Sequence, residues 1–253
     1  MTRETLEEKV RRLEKMAQQA QDVQEIQNVM SRHCFLDASD QTRLQVDEVW
    51  AHKAPDVCTA HSQIRSVGLD SLYQLADMHD KMAEDHIDQV HKLFPEIPKE
   101  NRDLVGWMKM HTLCSPYIIV AGDGQTAKGT WESPGFATMP MNGKLQAVWM
   151  WERFAADFIK EDSKWKLWHF NAMSQFNTPY EKSWVMSALE PNVMGGPLNG
   201  PPGGGPELPA LSPVRNEPYN PRKLCGPLSP NFPPQPVPYE TFSETFSYGP
   251  ESK

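Results

Sequence analysis

Three histidines and an aspartate carry the chemistry that can be read from this sequence. His33 and Asp37 are four residues apart, and so share a face of any helix that holds both. An imidazole beside a carboxylate is oriented and made more basic, as proton transfer requires. His111 lies in KMHTLCSPYIIV, in step with Lys109, Leu113 and Ser115, and His169 ends the run WKLWHF. Each ring alone reads as a satisfied structural group; gathered in one concave sheet they would be an acid–base site. Trp149, Trp151 and Tyr117 are candidates to hold an aromatic ligand, and Arg153 or His169 to stabilise developing negative charge. His79, His86 and His91 belong to an acidic helical stretch. His79 and His86 are about 10 Å apart by helix rise, so one metal cannot bridge them, and a solvated acidic helix is expected.

These residues need elements to position them. Leu6, Val10, Leu13, Ala17, Ala20, Val23, Ile26, Met30 and His33 recur at three- and four-residue spacings, which predicts one long helix from Thr5 to about Asp37. Its charged first half resembles a short coiled-coil arm. Ser39-Asp40 can cap a second helix, Gln41 to Trp50. A short strand is expected within Pro55 to Ser66, and a helix from Leu69 to Leu93 that Pro95 and Pro98 end. Leu104 to Val120 reads as a strand broken at Ser115-Pro116. The turn Gly122-Asp123-Gly124 leads to a strand from Thr126 to Glu132, and Pro134 to Gly143 reads as a loop over the sheet. Gln146 to Phe170 alternates with period two around the polar turn Glu161-Asp162-Ser163, a long hairpin with large groups on both faces. Parity sets Glu152 and Arg153 on opposite faces. The face carrying Arg153, Trp149 and Trp151 is taken as the one lining a pocket.

Helices followed by a run of long strands indicate an α+β fold with a mostly antiparallel sheet. The 253 residues are only 39% hydrophobic, and the deficit lies in the last quarter, where most of the 23 prolines fall. The organisation expected is a charged helical arm over 1–22, a domain over 23–187 and a Pro/Gly-rich tail over 188–253. Tyr239, Phe242, Phe246 and Tyr248 near the end suggest an arm that docks on its own domain or on a neighbour.

Several function classes are disfavoured. The net charge is −8 with dispersed basic residues, so nucleic acid is not an expected partner. Four cysteines without a C-x-x-C pair suit a reduced, cytoplasmic setting. The first residues read as a charged helix rather than a signal peptide, and no apolar run is long enough for a membrane span. There is no G-x-S-x-G elbow, no dinucleotide fingerprint, no P-loop and no H-E-x-x-H.

The helix ending HCFLD-ASD, the strand HTLCSPYIIVAGDGQTAKGTW and the hairpin ERFAADFIKEDSKWKLWHF resemble the SnoaL-like branch of the NTF2-like superfamily, over about Val23 to Phe176. The resemblance implies a cone: a curved sheet wrapped around three helices, with an apolar pocket inside. Enzymes of that superfamily include ketosteroid isomerase, scytalone dehydratase, polyketide cyclases and the diarylpropane formaldehyde lyases, which work without organic cofactors. By position, Asp37 corresponds to the helix-end acid and His111 to the strand histidine of dehydratase-type members, while His33 stands where those members often have Tyr. The implied activity is a cofactor-independent, metal-free lyase that removes water or formaldehyde from a hydrophobic, hydroxylated aromatic molecule. Two other readings stay open: a ligand-binding or assembly protein, and an isomerase or cyclase of the same fold. A homo-oligomer formed through the N-terminal helix and C-terminal arm is expected.

Overall fold

The computed structural model describes residues 4–61, 64–141, 144–184, 211–213 and 235–250. The first helix, α1 (Leu6–Ala38), starts at a capping box: the Thr5 hydroxyl accepts from the Glu8 N–H, and the Glu8 carboxylate accepts from the Thr5 N–H. It ends where Asp40 takes a left-handed φ of 52°, with the Gln41 N–H closing back on the Leu36 carbonyl. The second helix, α2 (Thr42–Val49), starts at Gln41 without a side-chain cap, so Ser39-Asp40 ends the first helix and does not cap the second. The third, α3 (Leu69–Leu93), has the expected limits.

The strands are β1 (Cys58–His61), β2 (Ile64–Val67), β3 (Lys109–His111), β4 (Cys114–Val120), β5 (Thr126–Met141), β6 (Lys144–Glu161), β7 (Lys164–Pro179) and β8 (Leu211–Pro213). They form one sheet in the order β3-β5-β6-β7-β1-β2-β8, with β4 pairing β5 beyond β3. Only β1 and β7 run parallel among the eight. The β6–β7 hairpin turns through Asp162 and Ser163, both at positive φ, as a two-residue turn matched to strand twist demands. β7 carries an extra residue opposite Trp151/Glu152 and another opposite Asp157/Phe158, and such bulges bend a sheet.

Two expectations are corrected. Residues 134–141 are not a loop over the sheet; they continue β5, paired to β6 throughout. Pro134 is tolerated because it meets the gap between β3 and β4, where its carbonyl accepts from the Thr112 N–H and hydroxyl, so no ladder donor is lost. His86 is not on a solvated face either. It is fully buried, meets Trp107 edge-on at 4.7 Å, and its Nε2 lies 3.0 Å from the Val105 carbonyl, while His91 holds the Asn101 carbonyl in the same way. Both rings anchor the segment that leads into β3.

The core fills the space between the helices and one face of the sheet. Ile26, Met30 and Leu36 of α1, Val46 and Val49 of α2, and Leu72 and Ala76 of α3 pack on Trp131, Phe154, Phe158, Leu167 and Phe170. α1 joins this core at the buried Asp22, which accepts from the Trp165 indole at 2.9 Å and faces the Lys160 ammonium at 2.9 Å. The other face of the sheet is partly covered by residues 235–250. The Tyr239 and Glu240 carbonyls accept from the N–H groups of Gly122 and Asp123, which ties this strap to the turn after β4.

Candidate functional site

Register places the site. His111 pairs with Gly135 on β5, and Gly135 pairs with Met150 on β6, so these three share the helix-facing side, with Glu152 two residues further on. Lys109, two residues before His111, shares that side. Gly135 permits the close packing: a Cβ there would come within 2.3 Å of the Met110 carbonyl oxygen. Asp37 arrives from the last turn of α1, and the left-handed Asp40 beyond it turns a second carboxylate the same way.

The result is an imidazole between two carboxylates. His111 Nδ1 lies 3.3 Å from Glu152 Oε2, and Nε2 lies 3.8 Å from Asp37 Oδ2. Lys109 Nζ bridges Asp37 Oδ1 at 3.4 Å and Asp40 Oδ1 at 2.9 Å, and the Trp107 indole donates to the other Asp40 oxygen. The side chains of Lys109, Asp37 and His111 remain 13–17% exposed at the edge of the cluster, while Asp37 Oδ2, His111 Nδ1 and Glu152 Oε2 are closed from solvent. Asp37 Oδ2 accepts no hydrogen bond among the described residues. The walls are aromatic: His111 stands 5.7 Å from Phe154, Phe154 stands 4.9 Å from Phe170, and Phe170 stands 4.8 Å from His33, whose ring also packs edge-on to Trp50.

Charge shifts follow from this geometry. For His111, burial works against the charged ring, but contact with Glu152 and the Asp37 charge outweigh it and raise its pKa above the usual imidazole range. For Asp37, burial works against ionisation, but Lys109, then His111, His79 and His33, outweigh it and hold the carboxyl below its usual range. The surroundings therefore bias the ring towards imidazolium and Asp37 towards carboxylate. Cys34, buried near Asp37 and Glu152, is pushed up to about 12, chiefly by burial, and is a neutral thiol.

Of the residues singled out by sequence, Asp37 and His111 are brought together, and His33 joins them as part of the aromatic wall. The others stand elsewhere. Tyr117, Trp149, Trp151 and Arg153 face the opposite side of the sheet, because β6 turns Glu152 and Phe154, not Arg153, towards the helices. Trp151 and Arg153 both donate to Glu132 there, and Trp149 stacks on Tyr180. His169 is on that far side too, bonded at 2.6 Å to the buried Asp157 and covered by the C-terminal strap. The inward choice of Arg153, Trp149 and Trp151 is therefore corrected: helix packing claims the Val148-Met150-Glu152-Phe154 face. Glu152 and Lys109 are the site residues that sequence reasoning passed over, although both share strand parity with apolar or histidine neighbours that turn inward. Among the described residues, no group of three or more His, Cys, Asp or Glu side chains is placed to hold a metal ion.

Comparison with known proteins bears on the fold. The profile of the SnoaL-like domain matches residues 18–171. Among solved structures, LinA aligns with a TM-score of 0.50 at 12% identity, over 67% of this chain and 96% of that one. A hexachlorocyclohexane dehydrochlorinase, LinA-type3 from Novosphingobium barchaimii LL02, aligns at 0.47 and 11% identity, over 66% and 95%. A putative scytalone dehydratase from Novosphingobium aromaticivorans aligns at 0.47 and 9% identity, over 66% and 93%. No curated protein matches the sequence.

Proposed function

The chain belongs to the SnoaL-like domain family and has its NTF2-like fold, and on that premise we propose that it is a cofactor-independent lyase acting by acid–base chemistry on a hydrophobic, hydroxylated aromatic molecule. The observation that carries the reading is His111 held between Glu152 and Asp37 beside the Phe154 ring. An elimination needs a base and an acid at once, and the site sets two carboxyl groups beside an imidazole that its surroundings bias towards the charged form.

In the loss of water, a carboxylate, Asp37 or Glu152, takes the proton from carbon. The C–H electron pair becomes the new double bond. The C–O pair leaves with the hydroxyl oxygen, which takes the His111 proton and departs as water. The proton on the carboxylate then returns to His111 across the 3.3–3.8 Å contacts, and the resting state is restored. In the loss of formaldehyde, the carboxylate takes the proton of a hydroxymethyl group instead. The C–C bond to that group breaks, its electron pair forms the double bond, and the neighbouring hydroxyl leaves with the His111 proton. Both reactions make an alkene or stilbene with the same two proton transfers. Lys109 keeps Asp37 ionised, and Phe154 and Phe170 supply a dry face for an aryl ring.

Product analysis with a panel of aryl diols and hydroxymethyl diarylpropanes tests this reading. The expected result is an alkene with loss of water or formaldehyde, and a rate that falls at least about a hundredfold in His111→Asn. Isomerised or cyclised products without a leaving group would overturn the lyase assignment. Tight binding of the panel without turnover would assign a binding role instead.

A further inference from the structure

α1 is two different helices end to end. From Asp22 onward its buried residues, Asp22, Ile26, Met30 and His33, pack on the domain. Before Asp22 no residue is buried, and Leu6, Val10 and Leu13 are 78%, 44% and 51% exposed. Those three continue with Ala17 and Ala20 as one stripe at alternating four- and three-residue spacing, a heptad seam with Val10 and Ala17 at a and Leu6, Leu13 and Ala20 at d. The stripe points away from the body: Leu13 and Asp22 are nine residues apart, half a turn out of phase at about 100° per residue. A helix of about four turns standing free in water is marginal on propensity alone, so a seam of this kind calls for a partner.

The flanking charges choose the partner. Lys9 occupies the g position and Glu14 the e position of the next heptad, and neither makes an ion pair among the described residues. In a parallel pair, g of one helix meets the following e of the other, so Lys9 faces Glu14 of the second copy on both sides of the seam. In an antiparallel pair e meets e and g meets g, which sets Glu against Glu. Glu7, at an e position, pairs with Arg11 of its own helix, and Glu4 and Arg12 pair off the seam.

We propose that the segment of α1 before Asp22 is a docking surface for a second copy of this chain, forming a short parallel coiled coil. The two domains then hang from one end of the pair. The pairing does not rest on the lyase reading, and no residue of the acid–base cluster takes part.

Sedimentation velocity of the full chain over a dilution series tests it, with far-UV circular dichroism to confirm that each variant is folded. The wild type is expected to dimerise. Leu13→Asp, at an exposed position that the domain does not use, is expected to weaken the dimer about thirtyfold or more. Lys9→Glu and Glu14→Lys are each expected to weaken it several-fold, and the double reversal Lys9→Glu/Glu14→Lys to restore it, because the Lys–Glu pair is rebuilt in the opposite sense. An equimolar mixture of the two single variants is expected to pair better than either alone. A monomeric wild type, or a dimer unaffected by Leu13→Asp, would overturn the docking surface. Single reversals that weaken the dimer without recovery in the double variant would overturn the parallel arrangement.

Discussion

The two faces of the sheet carry the same set of groups built to opposite ends. On the helix-facing side, Lys109 holds Asp37, and His111 stands between Asp37 and Glu152. On the far side, Lys128 holds Asp157 at 2.6 Å, and His169 stands between Asp157 at 2.6 Å and Asp56 at 3.4 Å. Each is a histidine between two carboxylates with a lysine on one of them. What differs is saturation. Asp157 receives Lys128, His169, the Ser247 hydroxyl and the Tyr248 N–H, and the strap lays Phe242 over the Lys128 ammonium at 4.4 Å. Lys128 and Asp157 are closed from solvent, and burial lowers the Lys128 pKa against the pull of Asp157. Around His111 the contacts are longer, Asp37 keeps a buried oxygen with no hydrogen bond among the described residues, and the side chains of Asp37 and Lys109 stay partly exposed. The same residue types thus serve two ends: on the far side the central carboxylate, Asp157, is saturated by four donors, whereas Asp37 beside His111 is not.

That contrast can be broken by experiment. The largest effect expected is on stability: Asp157→Asn leaves the Lys128 charge buried without its counter-charge and should cost about 3 kcal/mol in urea unfolding. A loss comparable to that of an ordinary surface change would remove the structural role of the far cluster. Next comes catalysis. His111→Asn should lower turnover at least about a hundredfold, close to 2.7 kcal/mol of barrier, while His169→Asn should leave the rate per folded molecule within about threefold. Equal losses in both variants would erase the distinction between the faces. Ser247→Ala removes one donor to Asp157 and should destabilise by about 1 kcal/mol without altering turnover, as read by paired melting and rate measurements.

The smallest effect sharpens the comparison through pH. The His111 pKa is raised in the folded state, so its contribution to stability is fully present below the unfolded-state value and is lost as pH rises through the folded value. The Asp37 pKa is lowered, so its contribution is present above the unfolded-state value and is lost as pH falls through the folded one. Glu152→Gln should draw the alkaline limb of both stability and kcat/KM to lower pH, since it removes the leading contribution that keeps the ring charged. An unmoved limb would show that His111 is not the titrating acid.

Much of the fold was legible along the chain. Three-and-four spacing located α1, Pro95 and Pro98 marked the end of α3, and the polar turn Glu161-Asp162-Ser163 located the hairpin, because these signals are local. The continuation of β5 through Pro134 was not legible, since tolerance of that proline depends on a gap in a neighbouring strand 22 residues away. The docked strap was half legible: its aromatic residues announced a contact, but not that Lys128 and Asp157 would be the groups covered.

By itself the sequence determined which residues share a face. Period-two alternation ties Glu152 to Phe154 and Arg153 to Trp151 whatever else happens, and helix spacing brings Asp37 to the end of the turn after His33. Which face looks inward was decided only by tertiary structure. Both faces of β6 carry large apolar groups, so alternation is nearly symmetric, and the choice fell to what packs on each side: three helices on one, a C-terminal strap on the other. The pairing of His111 with Glu152 and Asp37 arises the same way, from β3, β6 and α1 meeting across the interior, an event that no window of local sequence contains.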